Sequence, residues 1–214
     1  MKVAEKRVTV TMEAEREPGY LKLLHDYFAA SEHNNRVSSI DAKKQMMQAK
    51  EQMLQLCHSA PAKLEALKDV LRSAYDGREK AVIITRTGAT AAAIQDWLQQ
   101  DAEAMRWGIM LLSSELNVHE VNAQLDRFSQ RMDASVLILT DAASTSLNLS
   151  AANHLVHYDY PETYAQMVQR NNRITRQNSY HTEATIYYMM CEGKIDMLNY
   201  RLCMNESLDT AASL

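Results

Sequence analysis

At 214 residues, 46% apolar and 23% charged, the chain can bury one good-sized core and is not a disordered or low-complexity polypeptide. A net charge of −4 excludes a surface that attracts nucleic acid everywhere, so any such binding must use a local basic patch. Three cysteines without a C-x-x-C pair speak against a disulfide scaffold or zinc module and for a reducing compartment. The N-terminus has no secretory apolar stretch and no run nears the ~20 apolar residues of a membrane helix, so a soluble cytoplasmic protein (nuclear in a eukaryote) with no membrane partner is expected.

Residues 1–78 are expected to form a mostly helical linker segment. "RVTVTM" alternates and suits a short edge strand, "GYLKLLHDYFAA" is helical, and "SEHNNRVSS" is expected to be a polar loop. A helix follows with Ser39 as N-cap and an apolar stripe of Ile40, Met46, Met47, Met53 and Leu54, expected to pack in the core or against a neighbouring lobe. Pro61 opens the next helix, which carries Leu64, Leu67, Leu71 and Ala74 on one face.

From residue 79 to residue 214 strand and helix alternate. "AVIIT" is a short β-rich run of the kind buried on both faces. "GATAAAIQDWLQQ" is a helix, "WGIMLL" a second strand, and Asn117 with Glu120 a capping box before a helix striped by Val118, Val121, Leu125 and Phe128. "SVLILT" and "HLVHY" are further strands. A helix beginning at "QMVQRNNRITRQN", a strand "EATIYYMM" and a last helix "KIDMLNYRLCM" complete the chain. The pattern implies an α/β fold: a parallel sheet reached by right-handed crossovers, with helices on both faces. Ligands of such sheets sit beyond the carboxyl ends of the strands, which directs attention to Thr85–Gly88, Ser113–Asn117, Thr140–Leu149 and Asp159–Tyr164.

Several enzyme signatures are missing. The chain has no G-x-x-x-x-G-K-[ST] phosphate loop, no G-x-G-x-x-G, no acidic D-E-x-x box after a strand and no G-x-S-x-G elbow, and its histidines lack metal-ligand spacing. The distinctive stretch is Thr140–Asn178, "TDAASTSLNLSAANHLVHYDYPETYAQMVQRNNRITRQN". It resembles motifs V and VI of superfamily-two helicases, most closely those of Swi/Snf-type DNA translocases. In that family a T/S-x-A-x-x-x-G-L-N-L loop precedes a strand reading roughly "hVIhYD.P" and a helix with Q-x-x-x-R-x-x-R. The matching pieces are Ser146–Leu149, His154–Pro161, and Gln169, Arg173 and Arg176. "SAPAKLEALKDVL" is similar to the helix that opens the family's second lobe, and "KAVIITRTGATAAAIQDWL" to motif IV.

The resemblance implies a second RecA-like lobe whose first lobe, with the P-loop and acidic box, has no counterpart in these residues. Arg173 and Arg176 would act as arginine fingers on ATP, because guanidinium keeps its charge and forks onto phosphate. Gln169, Asp141, Ser146 and Asn148 would couple to the nucleotide. Thr85, Ser113, Ser114, Thr140, Ser144 and Thr145 would touch the phosphates of duplex DNA, contacts that position without specifying sequence. ATP and Mg2+ would be held only once a first lobe, in the same or a separate chain, completes the site, and no resident metal ion is expected. Arg170 lies about 100° round the helix from Gln169, so its loss should matter less. The family's motif V and VI glycines are Ser146 and Asn172 here, and Ile84 stands for the motif IV aromatic. These departures keep open an alternative: a non-catalytic module, derived from a helicase lobe, that binds protein or nucleic acid.

Overall fold

The computed structural model describes residues 1–112, 116–130, 135–144, 147–175 and 181–205, without the side chains of residues 143 and 144. Among them are strands β1 (Lys2–Val10), β2 (Ala81–Thr85), β3 (Ile109–Leu112), β4 (Val136–Thr140), β5 (His154–His157) and β6 (Glu183–Cys191). They form one sheet in the order β1-β6-β5-β2-β4-β3, and every pair is parallel.

Side chains alternate across the sheet as the period of two requires. Val82, Ile84, Leu137, Leu139 and Tyr188 enter one core, covered by α5 (Val118–Gln130), α7 (Tyr164–Asn171) and α8 (Ile195–Cys203). Ala81, Ile83, Val136, Ile138 and Met189 enter the other, under α3 (Pro61–Asp76) and α4 (Gly88–Gln99). Burial on both faces explains why β2 and β4 are apolar runs rather than alternating ones.

The N-terminal segment adds a strand to this sheet. β1 is the edge, paired with β6 over nine positions from Lys2↔Glu183 to Val10↔Cys191. Charges at Lys2, Glu5, Lys6 and Arg7 suit an exposed edge. Next comes a hairpin of α1 (Glu17–Val37) and α2 (Ile40–His58), with Ser39 capping α2 through the Ala42 amide at 3.3 Å. The stretch expected to be a polar loop is the last turns of α1. It holds no glycine or proline to break it, and the chain reverses only at Ser38, in the left-handed region at φ 48°.

The methionine stripe divides. Met53 and Leu54 are buried with Tyr20, Cys57 and Ile195, whereas Ile40 and Met47 are 83% and 73% exposed. The body meets only the C-terminal part of α2, so the small residues Ala42 and Ala49 form the buried side of its outer turns. The second expected strand is shorter than "WGIMLL" suggests. Trp107 closes a 3-10 turn and is buried, and Gly108 at φ 68° reverses the chain before β3. The Asn117–Glu120 capping box forms, with reciprocal bonds of 3.0 and 2.9 Å. Val118 is 74% exposed, and only Phe128 of that stripe is fully buried.

Strand order sets where ligands can bind. The connection from β2 leaves toward β3 and that from β5 toward β6, so the two adjacent strands send their chains in opposite directions. A crevice opens beyond the carboxyl ends of strands at such a point.

Candidate functional site

The crevice between β2 and β5 is occupied from within the chain. α2 lies over it: the Tyr158 hydroxyl donates to the His58 carbonyl at 2.5 Å. A small cavity of about 50 Å3 remains among His58, Arg86, Thr90, Asp159 and Asp196. Beneath it, buried Lys63 of α3 meets Asp196 of α8 at 2.8 Å, with its ammonium 4.6 Å from the centre of the Tyr158 ring. Burial also pushes the His58 imidazole pKa down to about 3, with help from the Lys63 and Arg86 charges.

Cys57, Cys191 and Asp196 are buried with their ligand-type atoms within 4.8 Å of one another. They could suggest a metal centre, but the donors are committed. The Asp196 carboxylate accepts from Lys63 at 2.8 Å, from the Cys191 amide at 3.0 and 3.1 Å, and from the Met197 amide at 2.9 Å. Its hydrogen bond with Cys191 and its burial push the Cys57 thiol far up, so it stays protonated.

The segments singled out in the sequence meet on the other side of β5. Thr163 and Gln166 form a capping box at the start of α7, which brings Arg170 to the last turn. Arg170 is buried, at 3% exposure. Its Nε and Nη2 fork onto both Asp141 oxygens at 2.7 Å each, and Nη1 donates to the Asp159 carbonyl at 2.7 Å. The Asp159 carboxylate lies 3.6 Å away and accepts the Arg86 amide at 2.9 Å through both oxygens. Burial raises the Asp159 pKa, against the pull of Arg170 and of the Arg86 amide. Burial and the Arg170 charge press His157 down to about 3. Its Nε2 lies 2.7 Å from the Asn171 side-chain oxygen, and its ring stacks on Tyr188 at 5.1 Å. A neutral imidazole with the proton on Nε2 turns its Nδ1 lone pair to Arg170, 3.4 Å away.

Arg170, set outside the pattern of Gln169, Arg173 and Arg176 in the sequence, is thus buried. The signal was in the spacing: Met167 and Arg170, three residues apart on α7, are both buried, as is Ile174 in the turn beyond it. Counting from Gln169 instead selected the exposed side, where Gln169 lies. α7 also ends at Asn171, earlier than expected, so Arg173 sits in the turn beyond it.

That turn joins the two motif-like segments. Arg173 Nη1 donates to the Leu147 carbonyl at 3.4 Å, and the Leu149 amide donates to the Arg173 carbonyl at 3.3 Å. Asn148, between them, is exposed and its side-chain oxygen accepts the Ser150 amide at 3.1 Å. Asp141, the first residue of α6 (Asp141–Ser144), is bound to Arg170 as described. Asn172 takes φ −64°, so this position needs no glycine in this structure.

The residues expected to touch DNA phosphates lie as follows. Thr85 is fully buried and its hydroxyl donates to the Thr87 carbonyl at 3.0 Å. Thr140 is 5% exposed at the end of β4, in register with Thr85. The exposed hydroxyl of the first loop is Thr87, which caps α4 beside Arg86. Ser113, Ser114, Thr145, Ser146 and Arg176 lie outside the described residues, as does the side chain of Ser144. Among the described residues, no helix is long and apolar enough to cross a membrane.

Residues 62–178 match the family described as the helicase conserved C-terminal domain. A Bacillus subtilis protein named as an ATP-dependent helicase/translocase, YwqA, is 25% identical over 163 residues, which cover 74% of this chain and 17% of that one. The chain therefore spans about a sixth of that relative's length. The SWI2/SNF2 ATPase C-terminal domain of Sulfolobus solfataricus superposes with a TM-score of 0.71 at 16% identity, covering all of this chain and 91% of that one. The SWI2/SNF2 ATPase core of the same organism, in complex with dsDNA, gives 0.77 at 16% identity over 95% of this chain and 44% of that one.

Proposed function

The chain belongs to the helicase conserved C-terminal domain family, and on that premise we propose that it is the second half of a Swi/Snf-type motor acting on duplex DNA. A first lobe, in the same polypeptide or another, would hold ATP and Mg2+ in its P-loop and acidic box. This lobe would present Arg173, with Arg176, to the phosphates and contribute part of the DNA track. The observation that carries the reading is the junction at Arg173: its side chain and backbone tie the turn after α7 to Leu147 and Leu149 of the motif V-like loop. A guanidinium held there can move with the loop, so contact with a nucleotide and contact with DNA become coupled. The spread of charge on a transferring phosphoryl group is what such an arginine neutralises.

Turnover tests it. The 214-residue chain alone should hydrolyse no ATP above background, with or without duplex DNA. Completed by a P-loop lobe, it should show DNA-stimulated turnover that Arg173→Ala lowers by on the order of a thousandfold, with nucleotide still bound by the partner. Lysine at 173 should not restore the rate, because it loses the fork. Robust turnover by the chain alone, or an Arg173→Ala pair as fast as wild type, would overturn the proposal. A completed pair that binds DNA yet never turns over would favour the binding-module alternative.

A further inference from the structure

The edge strand β1 bonds its neighbour with alternate residues. The Lys2 amide donates to the Thr182 carbonyl at 2.8 Å, and the Val10 carbonyl accepts the Glu192 amide at 2.8 Å. In a parallel ladder every second residue of a strand bonds the same neighbour, so Lys2, Ala4, Lys6, Val8 and Val10 are bound to β6. Val3, Glu5 and Thr9 fall between them and turn their N–H and C=O groups the other way, where no strand of the described residues lies. The pairing runs over nine positions without a bulge, and the strand holds no proline or glycine. Val3, Glu5 and Thr9 are exposed. We infer that this edge is a docking site for an extended acidic segment of another polypeptide, which adds a further strand to the sheet beside β1. The inference does not depend on the motor reading.

The charges select the partner. Lys2 and Lys6 lie on one face of β1, about 13 Å apart at the rise of a strand. Lys6 stands 5.6 Å from the centre of the Tyr187 ring. Lys2 meets Glu183 at 3.9 Å, but both side chains are over 70% exposed, so that bridge is weak. The opposite face carries one charge of each sign, Glu5 and Arg7. A strand with carboxylates on one face would meet both ammonium groups across the edge, while its backbone pairs with Val3, Glu5 and Thr9. A second copy fits less well. Two antiparallel copies of β1 are related by a two-fold axis through one residue, which then faces itself. Near the middle of the strand that residue is Glu5, Lys6 or Arg7, and like charges directly opposite destabilise. Only the register on Lys6 offsets this, by setting Glu5 against Arg7. Duplex DNA has no ladder of amides and carbonyls to pair with the edge.

Residue-resolved amide hydrogen exchange and peptide binding on the whole chain test this without nucleotide or first lobe. In the chain alone, the amides of Val3, Glu5 and Thr9 should exchange about tenfold or more faster than those of Ala4, Lys6 and Val8. A fluorescent peptide of alternating glutamate and valine, about nine residues long, should bind and slow the first three by about tenfold or more. The matching lysine–valine peptide should bind about tenfold more weakly or worse. Glu5→Pro removes an outward N–H and no bond to β6, so the sheet tolerates it. By charge alone it would tighten an acidic peptide, yet it should weaken binding about tenfold, because a backbone bond is lost and the ring obstructs the partner. Lys6→Glu leaves the backbone intact, should weaken binding by a similar factor, and decides the matter if the proline variant unfolds. The inference is overturned if the three amides are as slow as their neighbours in the chain alone, or if the acidic peptide leaves them unprotected. It is equally overturned if the lysine peptide binds as well, or if both variants bind as tightly as wild type. A concentration-dependent dimer that Glu5→Pro dissolves would assign the edge to a second copy, and duplex DNA slowing the same three amides would assign it to nucleic acid; either result overturns the acidic-segment proposal.

Discussion

Asp196→Asn removes the anion from a pair that is 0% and 1% exposed, separated by 2.8 Å. At an effective dielectric of about 20 the attraction over that distance is about 6 kcal/mol, offset by several kcal/mol of desolvation per ion. The intact pair therefore contributes little net stability, but deleting one partner strands the other. The Lys63 ammonium would keep the Tyr158 ring at 4.6 Å and at most one neutral amide oxygen in place of the carboxylate. Losses of this kind cost about 3–5 kcal/mol, which for a chain of this size lowers Tm by about 6–20 °C. The pH dependence separates this account from simple loss of packing. Burial alone would lower the Lys63 pKa, but the adjacent Asp196 carboxylate outweighs it and holds the group above its ordinary 10.5. In the native protein the pair's contribution is complete below the unfolded pKa and is lost as pH rises through the higher folded value. In the variant the stranded lysine has a lowered folded pKa, so its contribution to stability rises with pH up to the unfolded value. Urea unfolding followed by circular dichroism from pH 7 to pH 10 reads the difference between the two proteins, in which the titration of the tyrosines cancels. A variant within about 1 kcal/mol of wild type at pH 7, or a gap that does not narrow as pH rises, would refute the reasoning.

Two further outcomes are expected. His157 is held neutral to about pH 3 by burial and the Arg170 charge, so below pH 6.5 the unfolded chain takes up a proton that the folded one refuses. Stability should therefore fall by up to about 1.4 kcal/mol per pH unit from this residue, and His157→Gln should flatten the slope between pH 6.5 and 4; equal slopes would count against the neutral assignment. At the end of α3 the left-handed position falls on Arg78 at φ 56°, not on the neighbouring Gly77 at φ −74°. Arg78→Gly should stabilise by about 0.5–1 kcal/mol, seen as a higher Tm, and a lower one would mean that the arginine side chain contributes more than its strain costs.

Much of the architecture was legible in the residues themselves. "AVIIT" and "SVLILT" are apolar at every position, and only burial on both faces requires that, so a parallel sheet between helices follows from composition and length alone. Ser39, Pro61 and the Asn117–Glu120 pair mark helix starts through bonds made within four residues, which any fold would keep. Order and spacing from Ser146 to Arg176 carried the likeness to a helicase second lobe. The polar residues 31–37 misled because a helix without glycine or proline can be extended by packing against a partner helix, here α2.

The site itself depended on contacts between distant segments. Nothing local says that β5 lies beside β2 and not beside β4, or that α2 folds back over the crevice between them with the His58 carbonyl bound to Tyr158. Gln169 and Arg170 are neighbours with similar polarity, and the helical period alone leaves open which of them faces the core. That was decided by Asp141 and Asp159, 29 and 11 residues away, whose oxygens make burial of a guanidinium affordable at one angle round α7 and at no other. A charge can be buried only where its counter-ions and acceptors converge, and their convergence is a property of the folded sheet, not of the stretch that carries the arginine.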